Sequence, residues 1–535
     1  MHWYSNPAIV VAVFGILVAV IIFGSPRSPR VIEPVNPDDP DKLPDGIKRT
    51  VLVAGGGLAG LSTALELAER GYDVTIREAS DVIGGRLFAK PVEVLNRTFY
   101  LEHGFHGWFY NYYQFKDIRK RLDIDHNFKP WGPVHMIFRD HKPEILYSEG
   151  PYPLNLLAIV YRSLNINFWQ ALTTVLAIPD LFWFNYDEVY ERHDNISLAE
   201  WAQIYHVNTN FYDIIMQPSL SVTMNERETL SAAEMLMYMQ IYFLNNPKAD
   251  YREVTTVDHF TGILEPWVKK LKSFGVIIEL NSTVEGFVFD NKTGNIISAD
   301  DKNYDYFVLA TDFGGVRDIM KSSANRYVNN ALVHNNIQRF MGGIDGLAIA
   351  PPYKVIRIWF DKQIPNAPDI LQCPEHYPIN LIAQYHLLER ESAIWANKTG
   401  GSIMEFHLYT WKYGPVSDSE VWGIISPTAM EIFPEIIEKN FKILAVNVFS
   451  YENFPSFQAG SNRHRPMSHF AKSCGISNLM LAGDWLRTSY PSALMERAVS
   501  TGREAANHIL LSDHVKQVPL LVASSLGPGI LSAWW

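Results

Sequence analysis

The pattern of hydrophobic and polar positions changes twice in the early part of the chain. Residues 7–24 form an apolar run of 18 residues that contains no charged side chain. At about 1.5 Å of rise per helical residue, this run covers roughly 27 Å, which is close to the hydrocarbon thickness of a thin bilayer. The pattern therefore predicts one N-terminal transmembrane helix, a membrane anchor over residues 1–26.

A cleaved secretory signal peptide is the alternative interpretation of this run. Signal peptides carry a basic segment before the apolar core and a small-x-small cleavage site. Residues 2–8 contain no Lys or Arg, and residues 23–26 make a poor cleavage site, so we expect an anchor. Basic residues follow the run at Arg27, Arg30 and Lys42, and the positive-inside rule then places the catalytic part on the cytoplasmic side.

Residues 27–47 are rich in proline and aspartate, which favours an extended, solvated linker. From residue 48 onward the pattern becomes that of a folded domain. An apolar strand is predicted over 50–54, a helix over 58–69 and a second strand over 74–77. These three elements form a β-α-β unit of about 30 residues.

The turn between the first strand and the helix reads Gly55-Gly56-Gly57-Leu58-Ala59-Gly60. This G-x-G-x-x-G spacing predicts a dinucleotide site, because the glycines permit a tight turn, approach of a pyrophosphate and close helix packing. Glu78 follows the second strand, 23 residues after Gly55, where a carboxylate accepts a hydrogen bond from a ribose hydroxyl. The predicted cofactor-binding residues here are Gly55, Gly57, Leu58, Ala59, Gly60 and Glu78.

Composition and charge then exclude several classes of protein. The chain has 46 Lys and Arg against 57 Asp and Glu, and its net charge of −11 argues against nucleic-acid binding. Its two cysteines cannot supply a disulfide framework or an iron–sulfur site. The histidine pairs His103/His106 and His464/His469 come without a third clustered ligand, so we expect no metal site.

Two further stretches indicate which dinucleotide is bound. Gly84-Gly85-Arg86 follows Glu78, and an apolar strand near the end of the chain runs into Gly483-Asp484. Together with the glycine turn, these motifs resemble the flavin amine oxidase, protoporphyrinogen oxidase and phytoene desaturase superfamily, whose members bind FAD. The resemblance extends over residues 48–510 in the order of the motifs.

This resemblance implies further FAD-binding residues. It places Gly85 and Arg86 at the pyrophosphate, and Gly483 and Asp484 at the ribityl and phosphate end. Val284 falls where the superfamily contacts the adenine, and Met495 lies at the start of a helix under the isoalloxazine ring.

The implied fold class is α/β: a Rossmann-type FAD-binding domain built from discontinuous segments and interleaved with an α+β substrate domain. With the N-terminal helix, we expect these boundaries: membrane anchor 1–26, linker 27–47, FAD-binding segments 48–145, 256–320 and 466–512, a membrane-facing substrate segment 146–255, a second substrate segment 321–465, and an apolar tail 513–535.

Residues 101–113 are especially similar to carotenoid desaturases and to ring-aromatising desaturase/methyltransferases. The implied reaction is removal of hydride equivalents from a lipophilic carotenoid or isoprenoid to flavin N5. Because the chain has no second dinucleotide motif, the electron acceptor is expected to be oxygen, a quinone or another acceptor rather than NAD(P). Glu496 and Arg487 are candidates for charge stabilisation, His106 and Trp108 for lining the substrate channel, and the catalytic residue stays unknown.

Two alternatives remain open at this point. The first is a flavin amine oxidase: Lys354 favours it as a lysine near N5, whereas Leu494 occupies a position where amine oxidases usually have tyrosine. A strand-edge lysine that extends to solvent is the other interpretation of Lys354. The second alternative is a membrane protein that binds flavin without turning over substrate.

Overall fold

The computed structural model describes residues 27–146, 161–221, 223–246 and 248–528, together with Gly15 and Ile159. The predicted membrane-spanning run, apart from Gly15, lies outside these residues. Within the described part of the chain, no helix combines the length and the apolarity needed to cross a membrane.

A five-stranded sheet, called here the parallel sheet, contains the first strand of the β-α-β unit at its centre. All its strands run parallel, in the spatial order Ile277–Glu279, Asp73–Arg77, Thr50–Ala54, Tyr306–Leu309 and Leu479–Leu481. Strands of a parallel sheet are covered on both faces, which explains why the central and final strands read as continuous apolar sequence. The sheet confirms the α/β prediction, because segments far apart in sequence return to the first β-α-β unit.

Two helices pack closely beside this sheet. Leu58–Ala68 is buried along its whole length, and Leu494–Ser512 crosses it. At the crossing, a Cβ added to Gly502 would lie 2.3 Å from the carbonyl oxygen of Ala59, so only glycine allows this approach. The hydroxyl of Thr63 donates to the Gly502 carbonyl at 2.8 Å, which satisfies a buried polar group within the contact.

A seven-stranded sheet, called here the mixed sheet, forms the second layer. Its spatial order is Ile443–Tyr451, Tyr353–Phe360, Ser402–Leu408, Leu381–Gln384, Ile370–Gln372, Val134–Met136 and Glu144–Leu146. The strands Tyr353–Phe360 and Ser402–Leu408 are buried at every position, although each carries charged side chains. These charges therefore require partners inside the protein.

Smaller strand groups complete the sheet structure of the described chain. They are Ala89–Val94 with Arg97–Glu102; Trp108–Phe109, Arg252–Thr255 and Phe128–Pro130; Phe287–Phe289, Ile296–Ala299 and Lys302–Asn303; Ala348–Ile349 with Pro455–Ser456; and Arg30–Ile32 with Leu520–Val522. The last pair joins the predicted linker to the predicted apolar tail.

Helices fill the space between and around the two sheets. Besides the two described above, the α-helices with described bounds are Tyr113–Leu122, Phe168–Thr173, Ile178–Phe182, Tyr186–His193, Leu198–Ile204, Thr209–Phe211, Gln217–Ser221, Ala232–Met239, Glu265–Ser273, Phe313–Arg326, Ala331–Ile344, Tyr385–Leu388, Arg390–Thr399, Asp418–Ile432, Glu435–Glu438 and Phe470–Ser473. Short π-helical turns occupy Tyr212–Met216, Gln240–Leu244 and Phe260–Leu264.

Candidate cofactor and substrate site

The glycine turn lies at the carboxyl end of the central strand of the parallel sheet. Gly55 has a φ of +109°, and a Cβ there would lie 2.6 Å from the carbonyl oxygen of Ala310. A Cβ on Gly60 would lie 2.0 Å from the carbonyl oxygen of Gly55. Protein geometry alone therefore requires glycine at these two positions.

Gly57 differs from its neighbours, because the protein leaves space beside it. Its φ of −77° is ordinary, and an added Cβ would meet nothing closer than the Cα of Gly85 at 3.7 Å. Gly57 is also the N-cap of the helix that begins at Leu58 and Ala59, and no side chain caps that helix. Its first N–H groups have no intrahelical partner, so the turn offers space and donors that fit a pyrophosphate.

The predicted adenosine end of the site comes together at Glu78. One carboxylate oxygen accepts from the N–H of Gly56 at 2.7 Å and the other from the N–H of Ser80 at 2.8 Å. The segment that carries Val284 lies against this strand end, since the Ser282 N–H donates to the Glu78 carbonyl at 2.9 Å. Val284 itself is buried, as expected of an apolar adenine contact.

The Gly-Gly-Arg turn packs directly on the glycine turn. The Gly84 N–H donates to the Gly56 carbonyl at 2.9 Å, and Gly85 has a φ of +56°. Arg86 forms an ion pair with Asp484, although the two residues are 398 positions apart in sequence. The structure thus brings Arg86, predicted at the pyrophosphate, into contact with Asp484, predicted at the ribityl and phosphate end.

Gly483 and the helix that follows complete the cofactor side. Gly483 has a φ of +151°, and its N–H donates to the hydroxyl of Thr501 at 2.9 Å. Met495 is half-buried near the start of the helix, and the preceding Leu494 has a φ of +50°. A leucine in the left-handed region is unusual and costs on the order of 1 kcal/mol, so the surrounding packing must stabilise this start of the helix.

A buried ionic clamp holds the loop after Asp484. The carboxylate of Glu234 accepts from Arg465 at 2.9 Å and from Arg497 at 2.6 Å, and all three side chains are at most 3% exposed. Arg465 also donates to the carbonyls of Trp485 and Leu486, and Arg497 donates to the carbonyl of Ser492. The sequence analysis missed this clamp, because its members lie on separate segments with no motif spacing.

The candidates for charge stabilisation have structural positions. Glu496 accepts from the N–H groups of Gln114 and Phe115 at 2.7 and 3.2 Å, which caps the helix Tyr113–Leu122. Burial raises the pKa of Glu496 to about 8. The Arg487 side chain is exposed. Glu496 thus has a structural role as a helix cap, and a role of either residue in charge stabilisation stays a prediction.

Lys354 does not extend to solvent as a strand-edge lysine would. It lies within the mixed sheet, is 7% exposed and donates to the hydroxyl of Ser450 at 2.5 Å. Its ammonium also lies 5.6 Å from the ring centroid of Trp411. Lys354 is thus a buried, partnered lysine, which corrects the solvent interpretation.

The histidines considered for metal binding have other contacts. His103 stacks on Tyr451 at 3.8 Å, and the His103 and His106 ring centroids are 6.4 Å apart. His469 contacts His508 rather than His464. Among the described residues, His141, Asp213 and Glu375 form a group whose possible metal-ligating atoms all lie within 4.8 Å of one another. The sequence analysis did not single out these three residues.

A small cavity of about 10 Å³, with room for about one water molecule, lies beside His106, between the mixed sheet and the strand Arg252–Thr255. Its polar lining consists of Glu102, His106, His259, Tyr385 and Glu389, and the remaining lining is mainly apolar. Trp108 is buried and stacks on Phe115 at 4.3 Å, so of the two predicted channel residues only His106 lines this cavity.

Aromatic contacts connect the cavity to the Gly-Gly-Arg turn. Phe88 follows Arg86 by two residues and packs edge-on against His103 at 5.8 Å. His103 in turn neighbours His106, which lines the cavity. Phe88 also contacts Phe449 at 5.9 Å, so aromatic side chains extend from the candidate flavin site to the edge strand Ile443–Tyr451 of the mixed sheet.

The charged residues around this cavity were also missed by the sequence analysis. Arg357 and Glu405 face each other on adjacent strands of the mixed sheet, and the guanidinium lies 2.8 Å from the carboxylate. A signal was present in both strand sequences: Arg357 interrupts the apolar run 355–360, and Glu405 interrupts the apolar run 403–406.

Comparisons with known proteins agree with this geometry. The family model described as flavin-containing amine oxidoreductase matches residues 58–510. The chain is 25% identical to a carotenoid phi-ring synthase of Chlorobaculum tepidum, over 90% of this chain and 91% of that protein. It is 24% identical to a chloroplastic 15-cis-phytoene desaturase of Arabidopsis thaliana, over 90% and 82%. A putrescine oxidase structure shares the fold, with a TM-score of 0.60 and 12% identity, over 87% and 99% of the two chains.

Proposed function

Since the chain belongs to the flavin-containing amine oxidoreductase family and is an FAD-dependent oxidoreductase, we propose that it dehydrogenates a lipophilic, carotenoid- or isoprenoid-like substrate. The observation that carries this proposal is the similarity to a carotenoid phi-ring synthase over about nine-tenths of both chains. The aromatic faces of Phe88, Phe449 and Tyr451 support it, because a polyene binds through apolar and π contacts rather than hydrogen bonds.

We propose that FAD lies along the glycine turn, with its pyrophosphate beside Gly57 and the first N–H groups of the helix. Glu78 and Val284 would hold the adenosine end, and the Arg86–Asp484 pair would hold the phosphate and ribityl end. When bound, FAD supplies at N5 the acceptor for a hydride equivalent. The chain's own contribution is then to orient the polyene and to exclude water.

The test of this site uses Gly57→Ala with Gly60→Ala as its matched control. Because Gly57 has space for a Cβ, Gly57→Ala should fold with unchanged stability and lose at least ten-fold in flavin affinity. Gly60→Ala places its Cβ against the Gly55 carbonyl and should unfold more easily whether or not flavin is present. Full flavin content in well-folded Gly57→Ala would show that the pyrophosphate lies elsewhere.

A membrane location suits a lipophilic substrate. Tyr161, Leu164 and Trp169 are 90%, 62% and 71% exposed, and they lie within the predicted membrane-facing segment 146–255. Together with the predicted anchor at residues 1–26, they support attachment to a bilayer with the catalytic part on the cytoplasmic side. Flotation with liposomes tests this in a variant that lacks residues 1–26: a charged triple substitution of the three exposed residues should reduce its flotation, and an unchanged distribution would contradict their role.

An amine oxidase is the second candidate, and the buried Lys354 favours it. Absorption spectroscopy under anaerobic conditions separates the two functions. Bleaching of the oxidised flavin bands by β-carotene or phytoene in detergent supports the first, whereas bleaching by primary amines alone supports the second. Hydrogen peroxide release on adding amines in air would provide an independent check.

A further inference from the structure

Three possible metal ligands from separate parts of the chain meet at one end of the mixed sheet. His141 follows the strand Val134–Met136, and Glu375 follows the strand Ile370–Gln372. These two strands are parallel neighbours, so the chain leaves the sheet at the same end after each of them. Asp213 lies in a π-helical turn of the predicted membrane-facing segment. The group therefore lies where this segment meets the mixed sheet.

The three side chains approach closely enough to share one ion. An oxygen of Glu375 lies 2.5 Å from Nδ1 of His141. A ring nitrogen of His141 and one carboxylate oxygen each of Asp213 and Glu375 all lie within 4.8 Å of one another. Ligand atoms about 2.1 Å from a single zinc ion are at most about 4.2 Å apart. Side-chain movements of a few tenths of an ångström thus suffice for all three to reach the same ion.

Contacts behind the group orient two of its members. The second oxygen of Glu375 accepts from the N–H of Asp140 at 2.7 Å, which leaves the first oxygen for a ligand. The ring of His141 packs edge-on against Phe138, with 5.7 Å between the ring centroids. Metal ligands are commonly held by such outer contacts. His141, Asp213 and Glu375 are all half-buried, so an ion can reach them from solvent.

The negative charge of the group lacks a matching cation from the protein. Among the described residues, Asp213 has no hydrogen bond or ion pair, and the ion pair of Glu375 is with His141. Arg227, which also acts on Asp213, already pairs with Glu228 at 2.7 Å. Burial raises the pKa of Asp213, with His141 opposing this effect and Glu375 adding to it. Two carboxylates beside a neutral imidazole therefore match the charge of a divalent cation.

We propose that His141, Asp213 and Glu375 bind a divalent transition-metal ion of the zinc class, with water completing its coordination. One imidazole nitrogen and two carboxylate oxygens are ligands that Zn²⁺ accepts, whereas Mg²⁺ and Ca²⁺ prefer oxygen ligands alone. The ion takes the place of the proton that His141 shares with Glu375 at 2.5 Å, so that binding releases this proton. The ion undergoes no redox change.

The role of this ion is to fix the predicted membrane-facing segment on the mixed sheet. Hydrogen bonds already join the two at this place: the Asn165 side chain accepts from the Lys142 N–H at 2.9 Å and donates to the Lys142 carbonyl at 2.8 Å. The side chain of Asn210 donates to the Asn165 carbonyl at 2.8 Å. An ion held by Asp213 on one side and by His141 on the other adds a stronger link. This role is independent of the reaction at the flavin.

The experiment titrates ZnCl₂ into the purified, chelator-treated and untagged flavoprotein by isothermal titration calorimetry. The wild type should bind about one equivalent tightly and release about one proton, measured from the dependence of the heat on the buffer. Zinc should also raise the thermal unfolding midpoint, because it binds the folded state. Asp213→Asn keeps the shape of the side chain and should weaken zinc binding by about 10-fold or more. The rise in the unfolding midpoint should disappear with it.

Asp140→Asn is the matched control, because Asp140 is exposed, precedes His141 and lies outside the group. Its backbone N–H, which holds Glu375, is unchanged, so zinc binding should equal that of the wild type. Unfolding midpoints without zinc show whether each variant is folded, and Glu375→Gln decides the result if Asp213→Asn is not. A wild type without a tight zinc site, or equal zinc affinity in the wild type and the folded ligand variant, would overturn the inference. Equal loss of zinc affinity in Asp140→Asn would also overturn it, because general surface charge would then explain the binding.

Discussion

Glu234→Gln should destabilise the protein strongly, because Glu234 pairs with two buried arginines. It removes one negative charge and keeps the shape of the side chain. Arg465 and Arg497 then face an amide, although both guanidinium groups are at most 3% exposed and cannot reach water. The variant therefore leaves two buried cations without their counterion.

The expected loss follows from this burial. Breaking a buried ion pair by removing one partner costs about 3–5 kcal/mol, because the remaining charge is desolvated and uncompensated. That is a large part of the roughly 5–15 kcal/mol that stabilises a typical folded domain. The same two arginines donate to the carbonyls of Trp485, Leu486 and Ser492, so the loop after Asp484 should loosen as well.

Urea unfolding at pH 7, followed by tryptophan fluorescence, measures the free energy of unfolding, and the flavin-to-protein absorbance ratio measures occupancy. Both should fall in Glu234→Gln. Glu228→Gln is the control, since Glu228 is 60% exposed and its ion pair contributes little. Arg497 and Arg465, opposing the effect of burial, lower the pKa of Glu234, so its stabilising contribution should vanish as the pH falls through that lowered pKa. A loss below about 1 kcal/mol in Glu234→Gln would refute the reasoning.

Three further predictions concern single residues. Burial raises the pKa of Glu389 to about 8, which means that the folded protein holds a proton that the unfolded chain releases between pH 4.5 and about 8, so stability should fall as the pH rises through this window. At about 1.4 kcal/mol per pH unit, the free energy of unfolding should change by up to about 5 kcal/mol across this window, and Glu389→Gln should remove this change. If the urea midpoint depends on pH in the same way in the wild type and in Glu389→Gln between pH 5 and 9, the prediction is contradicted. Lys354→Met should leave reduction by a polyene within a few-fold of wild type but abolish any reduction by amines; equal amine reduction in both would exclude a catalytic lysine. Glu66→Gln should lower the free energy of unfolding by about 3 kcal/mol in thermal melts, because Arg503 and Arg121 pair with this buried carboxylate; an unchanged midpoint would show that the arginines find other partners.

The glycine turn was predictable from sequence because its chemistry depends on local geometry. Glycine is required at Gly60 by the nearby Gly55 carbonyl, and at Gly55 by the Ala310 carbonyl at the end of the neighbouring strand. The position of Glu78 follows from the length of the β-α-β unit, which places it at the end of the second strand. The positions of Asp484 and Val284 came from a family resemblance rather than from spacing. The structure then brings their segments to the turn, through the Arg86–Asp484 pair and the backbone contacts of Glu78.

The sequence by itself determined the α/β fold class, the glycine turn after the first strand of the β-α-β unit and the family. Only the tertiary structure decided that Lys354 is buried, that Glu496 caps a helix and that Glu389 lines a cavity behind Arg357. The reason is physical. Hydrophobic periodicity and glycine spacing report on neighbouring residues, whereas the state of a charged side chain depends on desolvation and on partners that the chain brings from hundreds of residues away.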